Sequence, residues 1–400
     1  MASVLQLWFL NMKLAHLKPF LLLTLLLLLF APPLSRAAEQ WQIEAVDKVA
    51  GDGPMFSSLA LDRYGNLHVA YSNRGGNELR YAFRGRDETR WDTAVVDSEG
   101  GSFDTLAVDS HGWSHIVYNS FRLPGLHYAV WDGKQWQKFL IDPCKSGHQT
   151  SIQLDSQDHA RISYYREQFS NRDIARDLKF AYFDGKQWYI QTVDHREGTG
   201  KWNSIALDRG GHPYISYSIT TPGNLGFAHL QEASWSLSLA DPPNSDSKKR
   251  IDDASSLVLD ALDQPHIAYI DASARTVNYG WLQGSSWTEE TVDFLVSAGA
   301  DSDQLSLKLD KSGHPHLVYY DSGLGVLKYG SRDDKGWHIE VVERSSAGDP
   351  SLVLDNDDQP YISYSALVSR EVRVAHKVGT LTPTTADLSP LNGKYTAHKK

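Results

Sequence analysis

The chain has 400 residues, of which 41% are hydrophobic and 22% charged, with a formal net charge of −10 at pH 7 and one cysteine, Cys144. An acidic protein is a poor match for the polyanionic backbone of nucleic acids, so the charge argues against nucleic-acid binding. A single cysteine excludes an intrachain disulfide, and stability must therefore come from packing.

A secretory signal peptide is predicted over residues 1–37. Lys13 and Lys18 precede the apolar run FLLLTLLLLLF (20–30), and the small residues of APPLSRAA follow. This order is typical of a cleaved signal, and the run is shorter than the ~20 residues of a membrane-spanning helix. Cleavage after Ala37 would remove three basic and no acidic side chains and make the net charge about −13. We therefore predict a periplasmic or secreted protein with no membrane span after cleavage; an uncleaved anchor is the alternative.

Seven copies of one repeat follow the signal. Each copy opens with Ser or Thr and an apolar strand, and a tyrosine stands thirteen residues later in every copy: Tyr71, Tyr118, Tyr164, Tyr217, Tyr269, Tyr319 and Tyr364. Between these anchors lies a turn whose fourth residue is Gly or Asp, which tolerate a left-handed backbone. A third strand and a strand that begins with Trp complete the unit. Four short strands per unit, repeated seven times, predict an all-β, seven-bladed β-propeller of four-stranded blades.

The two ends of the mature chain are predicted to share one blade. The segment WQIEAVD (41–47) is a Trp strand without a unit, and the seventh unit ends at VRVAH (372–376) without a Trp strand. Their pairing would close the ring and remove two open sheet edges. We therefore predict a propeller over 38–379 whose last blade is completed by 41–47. The polar segment 380–400 has no strand or helix pattern and is predicted to be a disordered tail.

Residues that recur from blade to blade are predicted to be packing groups, because a residue present in every blade cannot mark one site. This applies to the seven tyrosines, the outer-strand tryptophans and the recurrent His68, His115, His266 and His316. The acidic run DNDD (355–358) lies in the register of the first turn and lacks the full set of calcium ligands. No nucleophile–base pair, metal-ligand spacing or phosphate-binding loop stands out, so no cofactor and no metal are predicted.

Function on a repeat scaffold is expected where the repeat is broken. The segment after the second strand is six residues longer in blade three (YREQFSNRDIARDLK, 165–179) than in the other blades, and the longest connections between blades precede blades five and six. All of these segments lie on one face, so a ligand is expected over the channel mouth near blades three and four. The predicted ligand-binding residues are Asp104, His148, Gln149, Arg166, Glu167, Arg172, Lys201, Trp202, Asn203, Asp253 and Asp303; Gln304 and Asp349 occupy equivalent positions before the opening Ser. Arg166 and Trp202 are expected to be loop residues outside the blade packing.

The repeats resemble bacterial sialidase-like (Asp-box) and lectin-like β-propellers over the whole mature chain. The turns DGKQW at 132–136 and 184–188 lie where those families place an Asp-box, although they lack its leading Ser. The segment FRLP (121–124) is similar to a sialidase arginine motif but lies in a different loop. The resemblance implies the propeller architecture and a function related to glycans.

We predict a monomeric binding module that recognises a glycan or an exported protein partner at the channel mouth. Mixed acids, amides and aromatic side chains suit sugar rings and their hydroxyl groups. The alternative is a glycan-active enzyme on the same face, either a polysaccharide lyase or a sialidase-like hydrolase. Some polysaccharide lyases are seven-bladed and use His, Tyr and Arg, so that resemblance implies His148, Tyr165 and Arg166 as candidate catalytic residues.

Overall fold

The computed structural model describes residues 40–378 apart from 52, 74–77, 103–104, 121, 123, 144–146, 170–173, 221–222, 241–250, 252–253, 298–303 and 346. The predicted signal peptide and the predicted tail lie outside this range. The described residues form strands and turns only, and contain no helix that is long and apolar enough to cross a membrane. Seven antiparallel four-stranded sheets make up a β-propeller, which confirms the fold predicted from the repeat.

The sheets follow one another along the chain, with the first strand of each blade innermost. Blade one consists of β2 (Pro54–Leu61), β3 (Leu67–Asn73), β4 (Glu78–Arg84) and β5 (Asp92–Asp97). Blade two consists of β6 (Thr105–Val108), β7 (Ser114–Asn119), β8 (Leu126–Trp131) and β9 (Trp136–Asp142). Blade three consists of β10 (Gly147–Leu154), β11 (Ala160–Phe169), β12 (Ile174–Phe183) and β13 (Trp188–Asp194). Blade four consists of β14 (Thr199–Leu207), β15 (Pro213–Ile219), β16 (Asn224–Gln231) and β17 (Ser234–Leu239).

The last three blades repeat this order, except that the outer strand of blade seven comes from the other end of the chain. Blade five consists of β18 (Ser255–Leu259), β19 (Pro265–Asp271), β20 (Thr276–Gln283) and β21 (Ser286–Phe294). Blade six consists of β22 (Leu305–Leu309), β23 (Pro315–Asp321), β24 (Val326–Asp333) and β25 (Gly336–Glu343). Blade seven consists of β26 (Ala347–Leu354), β27 (Pro360–Ala366), β28 (Glu371–Val378) and β1 (Gln40–Lys48). The pairing of β1 with β28 confirms the predicted closure of the ring.

The hydrophobic core is divided among the seven junctions between adjacent blades. Each junction holds a cluster of buried side chains drawn from two blades, and the Trp at the start of an outer strand packs against it. In six junctions this Trp also meets an aromatic ring of the preceding blade edge to face, as Trp136 meets Tyr81 with ring centroids 5.2 Å apart. Apolar burial of this kind is the main source of stability in a fold without disulfides.

The constant tyrosine and the acid that ends each outer strand are explained by one contact between blades. The hydroxyl group of Tyr118 in blade two donates to the Asp97 carboxylate of blade one at 2.6 Å. The same bond joins five further junctions, including Tyr71 to Asp47 of β1, also at 2.6 Å. Burial, followed by the neighbouring Asp97, raises the pKa of Tyr118, so the phenol remains a donor.

The first turn of each blade adopts the predicted left-handed conformation at its fourth residue in all seven copies. The φ angles at these positions lie between 58° and 84°, for Gly65, Gly112, Asp158, Gly211, Asp263, Gly313 and Asp358. The leading Asp accepts the backbone N–H groups of its own turn, as Asp62 does from Tyr64 and Asn66 at 2.8 Å. The left-handed backbone at the fourth residue explains why Gly or Asp occupies this position in every blade.

The blade-three insertion corrects the sequence-based expectation of a loop. Strands β11 and β12 continue into it as a longer hairpin, in which Arg166 lies opposite Asp177 and Glu167 opposite Arg176. Both pairs form ion pairs, with N–O distances of 3.0 Å and 2.8 Å respectively. Cross-strand pairs of opposite charge favour strand pairing. Arg166 and Glu167 are therefore strand residues, and the expectation that Arg166 lies in a loop was wrong.

Candidate functional site

A cavity of about 190 Å³ opens on the axis of the propeller, where the innermost strands begin. All seven blades contribute to its lining. The floor is a ring of the residues that open the repeats: Ser58, Thr105, Ser151, Ser204, Ser256, Ser306 and Ser351. Larger side chains surround the mouth: Phe56, Gln149, Trp202, Asn203, Gln304 and Asp349.

The ring of hydroxyl groups binds the innermost strands to one another. Six of the seven accept the backbone N–H that follows the opening residue of the next blade, as Ser58 Oγ accepts from Leu106 at 3.0 Å and Ser351 Oγ from Leu59 at 3.1 Å. This bond explains why Ser opens six of the seven repeats. A hydroxyl group that accepts a hydrogen bond in this way can still donate one through its own O–H. The floor of the cavity therefore combines a rigid frame with potential hydrogen-bond donors.

Four residues at the mouth have a strained backbone conformation. Phe56, Gln149, Trp202 and Asp349 each lie two residues before the opening Ser and adopt φ angles of 50–52°. At each position the pairing with the second strand is interrupted by a bulge. A left-handed conformation is uncommon for residues other than glycine and is unfavourable by ~1–2 kcal/mol per residue. Strain of this kind is concentrated at functional sites in proteins.

The four bulge residues form two matched pairs, each across one blade junction. The Asp349 carboxylate of blade seven accepts the Phe56 backbone N–H of blade one at 2.8 Å. The Gln149 side-chain oxygen of blade three accepts the Trp202 backbone N–H of blade four at 3.0 Å. In both pairs a polar side chain fixes the backbone that carries an aromatic one. We refer to Asp349–Phe56 and Gln149–Trp202 as the two bulge pairs.

The carbonyl groups of the bulges are also held by the next blade. Asn203 Nδ2 donates to the Gln149 carbonyl at 2.5 Å, and Ser57 Oγ donates to the Asp349 carbonyl at 2.8 Å. Ser255 Oγ donates to the Trp202 carbonyl at 2.8 Å. At Trp202 both the backbone N–H and the carbonyl are bonded to neighbouring blades, so its strained backbone is held on both sides.

The structure brings three of the predicted ligand-binding residues together at the cavity. Gln149, Trp202 and Asn203 line it, and so do the equivalent residues Gln304 and Asp349. Trp202 lies within β14 and on its bulge, so the expectation that it is a loop residue was wrong. Lys201 precedes it on the same strand and does not line the cavity. Four predicted residues lie outside the described residues: Asp104, Arg172, Asp253 and Asp303.

The three candidate catalytic residues are neighbours in the blade-three sheet. His148 lies directly opposite Tyr165 in the register of β10 and β11, and Gly147 lies opposite Arg166. The Tyr165 side chain is only 2% exposed, and burial, with the Glu167 charge second, raises its pKa to about 12. Arg166 is paired with Asp177, which Lys179 also approaches to 3.4 Å. Neither the Tyr165 phenol nor Arg166 lines the cavity, so these groups are separated from the channel mouth.

Phe56 is the mouth residue that sequence reasoning missed. An apolar side chain at the start of a strand resembles a core residue, and its blade carries no long insertion. The available signal was its position, because Phe56 stands at the same offset from the opening Ser as Gln149, Trp202 and Asp349. A position of the repeat at which the residue type differs from blade to blade is not fixed by blade packing. Such a position can therefore contribute to a binding surface.

One group of possible metal ligands occurs among the described residues, on the opposite face from the cavity. It consists of Asp109, His111 and Asp158, at the first turns of blades two and three. Asp109 caps its own turn by accepting the His111 N–H at 2.8 Å, and Asp158 accepts from Ser110 Oγ at 2.5 Å. Both carboxylates therefore have a role in turn structure, and we assign no metal to them.

Comparison with known proteins supports the fold. No protein-family model and no curated protein matches the chain. An ulvan lyase, from a new polysaccharide lyase family, is 13% identical, with 83% of this chain and 95% of that chain covered and a TM-score of 0.54. The Aleuria aurantia lectin, described as a six-bladed propeller with a novel mode of fucose recognition, is 14% identical, with 76% and 98% covered and a TM-score of 0.51. A protein of unknown function from Dyadobacter fermentans is 11% identical, with 84% and 98% covered and a TM-score of 0.52.

These solved structures include a lectin and a polysaccharide lyase, both of which are β-propellers in common with this chain. At such low identity the likeness establishes the architecture alone. The lectin-like part of the predicted resemblance is supported, whereas the sialidase-like part gains no support from these comparisons.

Proposed function

We propose that this protein is an exported propeller that binds a glycan at the channel mouth. The observation that carries the proposal is the presence of the two bulge pairs on either side of a hydroxyl-lined cavity. Each pair presents one aromatic ring beside one carboxylate or amide. Sugar rings offer apolar C–H faces and hydroxyl groups, and such sites typically combine aromatic surfaces with a few fixed polar groups.

The position of the aromatic rings favours a ligand that enters along the axis. Blades one and four lie three blades apart in the ring of seven, so Phe56 and Trp202 stand on different sides of the mouth. A ligand between them would contact the hydroxyl ring below. The strained backbone is consistent with this role, because packing alone would favour a relaxed residue at each bulge.

Replacing Trp202 tests the proposal. Trp202→Ala is expected to weaken glycan binding at least tenfold, since aromatic anchors at binding sites typically contribute ≥2 kcal/mol. Trp202→Gly should weaken binding equally and keep or raise the melting temperature, because glycine adopts the left-handed backbone without strain. The measurement is a glycan array to find a ligand, followed by isothermal titration and thermal melting of each variant.

Trp113 offers a matched control on the opposite face. It lies in the first turn of blade two and is 38% exposed. Trp113→Ala should leave glycan affinity unchanged. Binding that survives both Trp202 variants would place the site elsewhere. An array without any glycan ligand, together with capture of a protein through the same face, would replace the glycan with a protein partner.

A glycan-active enzyme is the second candidate, and the register of blade three is the observation that favours it. The backbones of His148, Tyr165 and Arg166 are adjacent, as a general acid–base pair with an anion-binding group would require. The buried phenol of Tyr165 argues for a structural role in the present conformation. An assay for reducing sugars and unsaturated uronates, run with the wild type and His148→Ala, distinguishes turnover from binding.

Export is part of the proposal and rests on residues 1–37. The basic flank, the apolar run and the small residues before Ala38 have the order of a cleaved signal. N-terminal sequencing of the protein from its native host should find a start near Ala38. Recovery of residues 20–30 in the membrane fraction would indicate an anchor instead.

A further inference from the structure

The residues two positions after each opening Ser or Thr lie on the same face of the innermost strands as the hydroxyl ring, which places them along the propeller axis below the cavity. Residues two apart on a strand share a face, so this second ring lies about 7 Å further along the innermost strands than the hydroxyl ring. Five of its members are small and apolar, and two are not. The seven residues are Ala60, Ala107, Gln153, Ala206, Val258, Lys308 and Val353.

Lys308 and Gln153 therefore break the repeat at a position where the other five blades agree. Adjacent blades cover both faces of every sheet, so an innermost side chain meets solvent through the channel. Gln153 is exposed and Lys308 partly exposed, which indicates that the channel is open to solvent at this level. They lie in blades three and six, on different sides of the axis.

Lys308 has no hydrogen-bond or ion-pair partner among the described residues. Burial lowers the pKa of its ammonium group, and no described charge contributes to this shift. Part of the side chain reaches solvent, but the surrounding blades still disfavour an ammonium group that has no partner. Two other cations of blade six are paired: Lys328 contacts Asp293 and Asp321 at 2.9 Å, and Arg332 contacts Glu290 at 2.7 Å.

We propose that the axial channel contains a binding site for a carboxylate group, in which the Lys308 ammonium supplies the charge. The Gln153 amide and the hydroxyl ring supply further hydrogen-bond donors. The five Ala and Val side chains of the second ring offer no other polar partner to the ammonium group. A carboxylate carries one negative charge, which matches the one cation of this ring. A phosphate dianion would bring a second charge that no residue of the ring balances.

The carboxylate has two possible sources, which share the same chemistry at Lys308. One is a free small acid, which needs only the channel. The other is the acid group of a sugar seated at the mouth, and this source rests on the function proposed above. Two probes separate them: sodium acetate represents the free acid, and D-glucuronate represents the acidic sugar. D-glucose, which has the same ring without the acid, is the neutral reference.

Isothermal titration of the full mature chain with these three probes tests the site. Acetate or glucuronate should bind the wild type, and Lys308→Ala should weaken that binding at least tenfold. Alanine already occupies this position in three other blades, so the variant fits the repeat. Lys308→Met keeps most of the side-chain volume and should have the same effect, with an equal or higher melting temperature because an unpaired and partly buried charge is removed. Gln153→Leu should weaken binding by a smaller factor of about two to five, as one neutral hydrogen bond would.

Lys335 provides a matched control, since it is an exposed lysine in the turn between β24 and β25. Lys335→Ala should leave the affinity for both acids unchanged. Equal binding of acetate and glucuronate would assign the site to free acids, and preference for glucuronate would assign it to an acidic sugar. Acid binding that is absent, or that is the same in wild type and both Lys308 variants, overturns the carboxylate site. Glycan binding that depends on Trp202 would then still stand, so the two proposals fail separately.

Discussion

Removal of residues 38–48 is expected to abolish cooperative folding of the propeller. Strand β1 contacts three blades, so its loss is larger than the loss of one edge strand. Trp41 packs against Tyr329 of blade six with ring centroids 5.2 Å apart. Glu44 pairs with Arg84 of blade one at 2.6 Å. Without β1, the β28 edge and two apolar junctions would be open to other chains, and exposed edges promote aggregation.

The expected result is a broad or absent melting transition in calorimetry, with aggregation seen by light scattering. Removal of residues 381–400 is the matched control, because it shortens the other end and leaves β28 complete. A synthetic peptide of residues 40–48, added to the truncated protein, should restore part of the transition by supplying the missing strand. An unchanged melting temperature after removal of residues 38–48 would contradict the role of β1 in closure.

The architecture could be predicted from the sequence because each blade makes the same contacts with its neighbours. The opening Ser, the tyrosine thirteen residues later and the terminal acid are fixed by bonds between neighbouring blades, as in Tyr118–Asp97. Such bonds need the same residue at the same offset in every copy. A pattern of this kind is visible in one sequence, since seven copies of the unit can be compared with each other.

The candidate site was harder to predict because it depends on departures from that pattern. A bulge adds a residue without changing the spacing of the anchors, so the left-handed backbone at Trp202 left no trace in the repeat length. The length of the blade-three insertion predicts a loop, whereas its charges pair with opposite sign across a hairpin at Arg166–Asp177 and Glu167–Arg176. Comparing blades position by position, rather than by loop length, would have singled out Phe56 and Lys308.

Replacement of Trp188 by alanine is expected to destabilise the propeller by about 3 kcal/mol, at the lower end of the range for large aromatic core truncations. Trp188 opens the outer strand of blade three and packs on the junction with blade two. Its ring meets Tyr128 edge to face, with centroids 5.1 Å apart and an interplanar angle of 70°. Alanine would leave a cavity between two blades that the rigid sheets cannot close. The measurement is the free energy of unfolding from urea denaturation.

Tyr189, the next residue on the same strand, serves as the control for this truncation. It is 38% exposed and stacks on Tyr182 of its own blade, so Tyr189→Ala should lower stability by about 1 kcal/mol or less. Trp188→Phe should recover much of the loss, because a smaller ring can keep the edge-to-face contact with Tyr128. Glycan affinity should be unchanged in every folded variant, since blade junctions hold the sheets together and the bulge pairs hold the mouth. Equal stability of Trp188→Ala and Tyr189→Ala would mean that the outer tryptophans do not join the blades, and the constant Trp of the repeat would need another cause.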